Sequence, residues 1–367
     1  MSKRQIAMVM DLNKCLGCHT CSIACKTLWT RREGMQHMWW NTVNTQPGTG
    51  TPHGYEEMGG GFREGEAQKG YRPSEEDFGK AWDFNYDEVF HGGKEDAFLQ
   101  ANYGEWNNGE NWKGPNWDED IGAGEYPNSY YFYLPRICNH CTHPACLEAC
   151  PRKAIEKREE DGIVLINEER CSGYRFCQEA CPYKKIYFNE TLGKSQKCIF
   201  CFPRIDEGVT TACSRQCPGR LRFVGYLDDP EGPIYKLVHE HKVALPLHSE
   251  YGTQPNVYYV PPISSPKFDE NGEPTDESRI PLDYLEYLFG PSVKGVLDKI
   301  ESERVKVRNG GESELMDLLI ARKWLDLFGP FTKHPRDVVT ASPVRMVGLT
   351  DNNNSSAVQM WDAGVKS

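Results

Sequence analysis

Fifteen cysteines gathered into four tight groups constrain this 367-residue chain more than any other feature. Cys15, Cys18, Cys21 and Cys25 form a complete C-x2-C-x2-C-x3-C run. Cys138, Cys141, Cys146 and Cys150, followed by Pro151, form C-x2-C-x4-C-x3-C-P. The third group, Cys171, Cys177, Cys181 and Pro182, keeps the frame of the first but carries Tyr174 where its second cysteine should stand. The fourth is split, with Cys198 and Cys201 before an insertion and Cys213, Cys217 and Pro218 after it. No cysteine is left over. A secreted disulfide scaffold favours an even count in a short chain, so thiolates held for metal are the better reading.

The first run has the ligand spacing of two-cluster bacterial ferredoxins, in which three cysteines wrap one iron–sulfur cluster and the fourth ligates the other. That rule gives specific sets. Cys138, Cys141, Cys146 and Cys181 hold one [4Fe–4S] cluster, and Cys150, Cys171 and Cys177 bind its neighbour. Cys15, Cys18, Cys21 and Cys217 hold a further [4Fe–4S] cluster, and Cys25, Cys198, Cys201 and Cys213 another. At the site of Tyr174 the first reading is a [3Fe–4S] cluster, with the ring in the space of the missing corner. The second keeps four irons and uses the phenolate or another ligand, and the third has no cluster there. C-x2-C pairs also build zinc ribbons. Zinc predicts isolated four-ligand sets and does not explain a fourth cysteine aimed away from the other three.

The expected fold is α+β: tandem bacterial-ferredoxin-like cluster-binding units with long loop insertions and C-terminal helices. Residues 1–30 and 190–230 make the first unit and residues 130–189 the second. Residues 31–129 form a cysteine-free insertion, rich in Gly, Trp, Tyr and Asn, read as ordered loops because disordered segments are poor in aromatics. Residues 231–340 read as proline-rich loop followed by helices, and 341–367 as an extended tail. Strands are predicted at Ile6–Met10, Tyr130–Leu134, Gly162–Ile166 and Arg222–Tyr226. Helices are predicted over roughly Ser22–Trp29, Leu282–Arg304 with a break near Gly290-Pro291, and Glu314–Phe328. The hydrophobic fraction is only 38%. Clusters that tie distant segments together, contributing directly to folding, account for how so polar a chain becomes compact.

A net charge of −11 argues against nucleic acid and against an anionic membrane surface. No apolar run approaches the ~20 residues of a membrane helix, and no signal-peptide pattern precedes the first cysteines. There is no H-E-x-x-H, G-x-S-x-G, P-loop or strand-linked G-x-G-x-x-G. His19, His140 and His143 lie inside complete cysteine motifs and are read as hydrogen-bond donors or loop filling. No substrate site is visible, so the chain is expected to be non-catalytic.

Several segments carry a more specific likeness. They are Asp11-Leu-Asn-Lys-Cys15, Trp40-Asn-Thr-Val-Asn44, Gly122-Ala-Gly-Glu-Tyr-Pro127, Leu134-Pro-Arg-Ile-Cys-Asn-His-Cys141, Cys181-Pro-Tyr-Lys-Lys-Ile-Tyr-Phe-Asn189 and Lys197-Cys-Ile-Phe-Cys-Phe-Pro-Arg204. Across roughly residues 5–325 the chain resembles the iron–sulfur β subunit of the type II dimethyl sulfoxide reductase family of molybdoenzymes. That group contains ethylbenzene and dimethylsulfide dehydrogenases and selenate, chlorate, perchlorate and nitrate reductases.

The resemblance implies an electron-transfer subunit that relays single electrons through three [4Fe–4S] clusters and one [3Fe–4S] cluster. It bridges a catalytic α subunit with a molybdenum bis-pterin cofactor and a γ subunit with haem b. By the family pattern the Cys15, Cys18, Cys21 and Cys217 cluster faces α and the Cys150, Cys171 and Cys177 cluster faces the haem. Tyr174 looks more like the dehydrogenase and selenate branch than like the nitrate reductases, which carry Trp there. Pro218 departs mildly from relatives with an aliphatic residue. The resemblance also implies a periplasmic location reached by co-export with α, where the N-terminus alone would say cytoplasm. A free-standing polyferredoxin and a zinc-stabilised interaction module are the competing expectations.

Overall fold

The computed structural model describes residues 4–78 and 122–335. The central part of the insertion and the expected 341–367 tail lie outside the described residues. Ile6–Asp11 is the pivot of the largest sheet, and every one of its residues is buried. Its Ile-Ala-Met-Val-Met run has no polar alternation, as expected of a strand covered on both faces. Arg222–Tyr226 pairs with it antiparallel, setting Met8 opposite Val224. On its other side Val257–Val260 pairs in parallel, setting Met8 opposite Val257. Leu245–Pro246 closes the four-stranded sheet as an edge, a position that tolerates proline because one N–H row faces outward.

Val257–Val260 falls in the region read from sequence as proline-rich loop. The residues Val-Tyr-Tyr-Val favour strand, but Pro255, Pro261 and Pro262 bracket them. The prolines terminate the strand without preventing it. A second strand, Thr42–Gln46, lies in the insertion and pairs antiparallel with Phe132–Arg136. The latter begins two residues later than the sequence pattern suggests.

Two hairpins follow the second and third cysteine groups: Ile155–Lys157 with Val164–Ile166, and Ile186–Asn189 with Lys194–Lys197. Around the first of these sits a small core of Cys146, Ile155, Val164, Cys177, Cys181, Tyr183 and Ile186. A second, much larger core includes Cys21, Cys25, Cys198, Cys201, Cys213 and Cys217. Thiols are therefore constituents of both cores.

The first helix, Thr20–Trp29, starts two residues before the expected Ser22, so Cys21 lies in its first turn and Cys25 at mid-helix. The C-terminal region contains Leu282–Phe289 and Val293–Arg308, separated at Gly290 with φ +84°. Glu314–Ile320 and Trp324–Phe328 follow as two helices where the periodicity suggests one. The break is at Ala321, held at φ +52°. These helices bury Leu285, Leu288, Val293, Val296, Ile300, Leu315 and Leu327, each worth about 1.5–3 kcal/mol when fully removed from water. No helix among the described residues is long and apolar enough to cross a membrane.

Candidate metal centre

All fifteen cysteines are free thiols, and the fold gathers them from distant positions. Cys15, Cys18, Cys21 and Cys217 line one cavity with Leu16, Pro218 and Arg222. Cys25, Cys198, Cys201 and Cys213 line a second with Trp29, Trp40 and Ile137. Cys146 lies in the field of Cys181, Cys138 and Cys141. Cys177 lies in that of Cys171 and Cys150. The groups meet end to end. Cys21 acts on Cys25, Cys138 on Cys198, and Cys181 on Cys177. One end of the row carries Cys18, which is exposed, and the other carries Tyr174, which is 54% exposed.

Each loop achieves its turn in the same way. The residue before the second ligand position has a left-handed backbone: Gly17 at φ +65°, His140 at +43°, Gly173 at +73° and Phe200 at +52°. Glycine adopts this conformation freely and other residues at a cost. At Gly17 a side chain is also excluded sterically, since a Cβ would meet the Tyr133 ring at 2.4 Å. The residue after the second position is left-handed in both the first and third loops, His19 at +53° and Arg175 at +64°. Tyr174 thus sits on the same backbone turn as Cys18. Its ring lies 6.4 Å from Phe176.

Burial favours the protonated form of several of these thiols when nothing is bound. It pushes Cys15 and Cys177 up to about 12, opposed by the Gly17 N–H and the Ser195 hydroxyl respectively. Burial and then Cys213 push Cys201 up to about 11. Cys25, Cys146 and Cys198 are raised by burial and then by neighbouring thiolates. A thiolate is the metal-binding form, and a bound cation inverts this preference.

The surroundings fit an anionic cluster. Arg222 is fully buried and donates Nη2 to Cys21 Sγ at 3.4 Å and to Asn41 Oδ1 at 2.7 Å. Burial alone would lower its pKa, but the thiolates of Cys21, Cys213, Cys217 and Cys15 outweigh burial and raise it. Lys185 is buried among Trp39, Thr42 and Tyr187, to which its ammonium donates at 3.2–3.3 Å. Burial and Arg136 hold its pKa well down, opposed by Cys198, Cys25 and Cys138. Lys197 donates to the carbonyls of Val164 and Cys198. Buried cations need anionic partners, and thiolates bound to iron supply them. Further donors point at sulfur: Trp29 Nε1 to Cys201 at 3.1 Å, Ala154 N to Cys150 at 3.3 Å and Phe200 N to Cys198 at 3.4 Å. The donor set, four convergent thiols with N–H groups and cations behind them, suits iron–sulfur clusters.

One of the three motif histidines departs from the expected role of donor or loop filling. His140 accepts the Val164 N–H on Nδ1 at 3.1 Å, and His143 stacks on Phe62 with centroids 3.9 Å apart. Sequence reading did not single out Arg222, Lys185, Lys197, Trp29 or Trp40 as parts of the centres. The Trp39-Trp40 pair in the insertion and the Lys184-Lys185 pair after Cys181 were the available signals.

Residues 129–227 match the family model described as a 4Fe-4S dicluster domain. The chain is 56% identical over 329 residues to the dimethylsulfide dehydrogenase subunit beta of Rhodovulum sulfidophilum, covering 89% of this chain and 99% of that protein. It is 58% identical over 324 residues to the respiratory nitrate reductase subunit beta of Haloferax mediterranei, covering 86% and 90%. It is 53% identical over 333 residues to the selenate reductase subunit beta of Thauera selenatis, covering 90% and 100%.

Proposed function

This chain belongs to the family of electron-transferring iron–sulfur β subunits of the type II dimethyl sulfoxide reductase group of molybdoenzymes, and from that premise we propose that it is a four-cluster wire. Cys15, Cys18, Cys21 and Cys217 bind the first [4Fe–4S] cluster. Cys25, Cys198, Cys201 and Cys213 bind the second, and Cys138, Cys141, Cys146 and Cys181 the third. Cys150, Cys171 and Cys177 bind a [3Fe–4S] cluster beside Tyr174. The chain is built as two ferredoxin-like units in tandem, residues 1–30 with 190–230 and residues 130–189. The observation that carries this reading is the end-to-end proximity of the four thiol groups, with Cys21 near Cys25, Cys138 near Cys198 and Cys181 near Cys177.

The first cluster faces a molybdenum bis-pterin α subunit, and the Tyr174 end faces a haem b γ subunit. The exposure of Cys18 at one end and Tyr174 at the other supports these two ends as the points of electron entry and exit, because electrons must enter and leave near the surface. The complex is a dehydrogenase or an oxyanion reductase, and it works in the periplasm after co-export with α. The iron–sulfur groups supply one-electron carriers when bound. The chain's residues hold them apart from water, orient their ligands and set their surrounding charge.

Purification from the native host tests the proposal. The expected result is a complex containing molybdenum and haem b, whose oxidised form gives a low-temperature [3Fe–4S] EPR signal and whose reduced form gives [4Fe–4S] signals. A lone soluble monomer, or zinc without iron and acid-labile sulfide, overturns it.

A further inference from the structure

Two indoles stand at the wall of the cavity formed by Cys25, Cys198, Cys201 and Cys213. Trp29 donates Nε1–H to Cys201 Sγ. Trp40 is 5% exposed, and its Nε1 is buried with no hydrogen-bond partner among the described residues. Buried polar groups in native proteins are almost always paired, so an orphan donor on a side chain that lines a cavity asks what accepts from it. The neighbouring polar groups already have partners. Asn41 donates to Ser22 Oγ at 3.1 Å, Thr211 to Ser214 Oγ at 2.8 Å, and Ala212 N to Cys201 Sγ at 3.5 Å. The rest of the wall, including Met8, Ile137, Ile199 and Phe200, is apolar and offers a bridging water too few partners.

We infer that Trp40 is a positioning residue for the cluster bound by these four cysteines, its indole N–H donating to a cluster sulfur. This rests on the ligand set proposed above. An N–H donor stabilises the extra negative charge of the reduced cluster, so hydrogen bonds to sulfur raise the potential. Trp29 and Trp40 together therefore favour reduction at the second position of the wire. The Trp29 segment also supplies a ligand of that cluster, whereas the Trp40 segment supplies none. Trp29 ends the helix carrying Cys25, and Trp40 precedes the strand Thr42–Gln46.

The test uses the intact complex with Trp40→Phe and Trp29→Phe, which keep an aromatic ring and remove the N–H. In an EPR-monitored redox titration each variant should disfavour reduction of the same single [4Fe–4S] cluster. The expected loss is about tenfold in the reduction equilibrium, or about 59 mV for one electron, with the other clusters unmoved. Indole-¹⁵N labelling gives a second readout. Pulsed EPR of reduced Trp29→Phe protein should retain a weak indole nitrogen coupling, and the double variant should lose it. Full iron content with an unchanged potential in Trp40→Phe, or with no indole coupling in Trp29→Phe, overturns the role of Trp40. If Cys25→Ser leaves every [4Fe–4S] signal intact, the ligand set itself is wrong and the inference falls with it.

Discussion

Arg222 and Cys21 meet inside the protein, with the guanidinium Nη2 3.4 Å from the thiol sulfur. Two hundred and one residues separate them in sequence, and the pairing of Arg222–Tyr226 with Ile6–Asp11 brings them together. The same nitrogen reaches Asn41, so three segments of chain are fixed to one buried charge.

That charge would stabilise an electron added to the cluster proposed at Cys15, Cys18, Cys21 and Cys217. A hydrogen bond to a charged group is worth about 1.5–3 kcal/mol, or roughly 60–130 mV for one electron. Arg222→Gln should lower this cluster's midpoint potential by an amount in that range, and Arg222→Lys by less. An EPR-monitored titration reads the shift. No change in the Gln variant would mean the guanidinium is electrically remote from the cluster.

If Cys150, Cys171 and Cys177 hold a [3Fe–4S] centre as proposed, Tyr174→Cys should convert it to [4Fe–4S]. The backbone is already suitable, because Gly173 and Arg175 repeat the left-handed turns of Gly17 and His19 around Cys18. The oxidised protein should lose its [3Fe–4S] EPR signal and gain one iron per chain. Persistence of the signal at full cysteine occupancy would count against three-iron binding set by this residue.

The thiol ligands should differ in their structural weight. Cys25 is buried and acts on Lys185, whereas Cys18 is exposed. Removing one partner of a buried charge pair costs about 3–5 kcal/mol. Cys25→Ser should therefore lower Tm clearly and lose the second cluster. Cys18→Ser should change Tm little, since water reaches the position it leaves. Differential scanning calorimetry beside iron analysis separates the two.

Stripping iron should leave a chain whose stability depends on pH with a defined sign. Burial pushes Cys15 and Cys177 from 9.0 up to about 12. A raised folded-state pKa contributes stability that is full below the unfolded value and is lost as pH rises through the folded one. The window is therefore about pH 9 to 12. Lys26 and Lys184, which burial lowers to about 8, and Lys14, Lys157 and Lys185, which burial also lowers, act in the opposite direction. The raised thiols outnumber them, with Cys25, Cys141, Cys146, Cys181, Cys198 and Cys201 shifted the same way. Urea unfolding of the iron-free chain should give a lower midpoint at pH 10 than at pH 7, and the cluster-loaded protein should lack this loss.

Much of the metal chemistry was legible because ligand spacing is local. A C-x2-C loop states its own geometry, and Cys15 or Cys171 needs no distant residue to be recognised as a candidate ligand. Ile6–Asp11 and Arg222–Tyr226 were legible for a similar reason, as short apolar runs ended by polar or turn residues. Val257–Val260 was hidden because flanking prolines look the same around a loop and around a short strand. Thr42–Gln46 was hidden because its strand character depends on Phe132–Arg136, far along the chain.

The sequence by itself determined which residues are thiols, how they are spaced, and that one ligand position holds Tyr174. The tertiary structure decided what stands behind those thiols. Arg222, Lys185, Lys197, Trp29 and Trp40 carry no spacing signature, because a hydrogen-bond donor or a buried charge acts through distance in space and not along the chain. Long-range strand pairing sets those distances. It also sets the order of the four groups from exposed Cys18 to exposed Tyr174, because their couplings join segments that only the folded chain brings together.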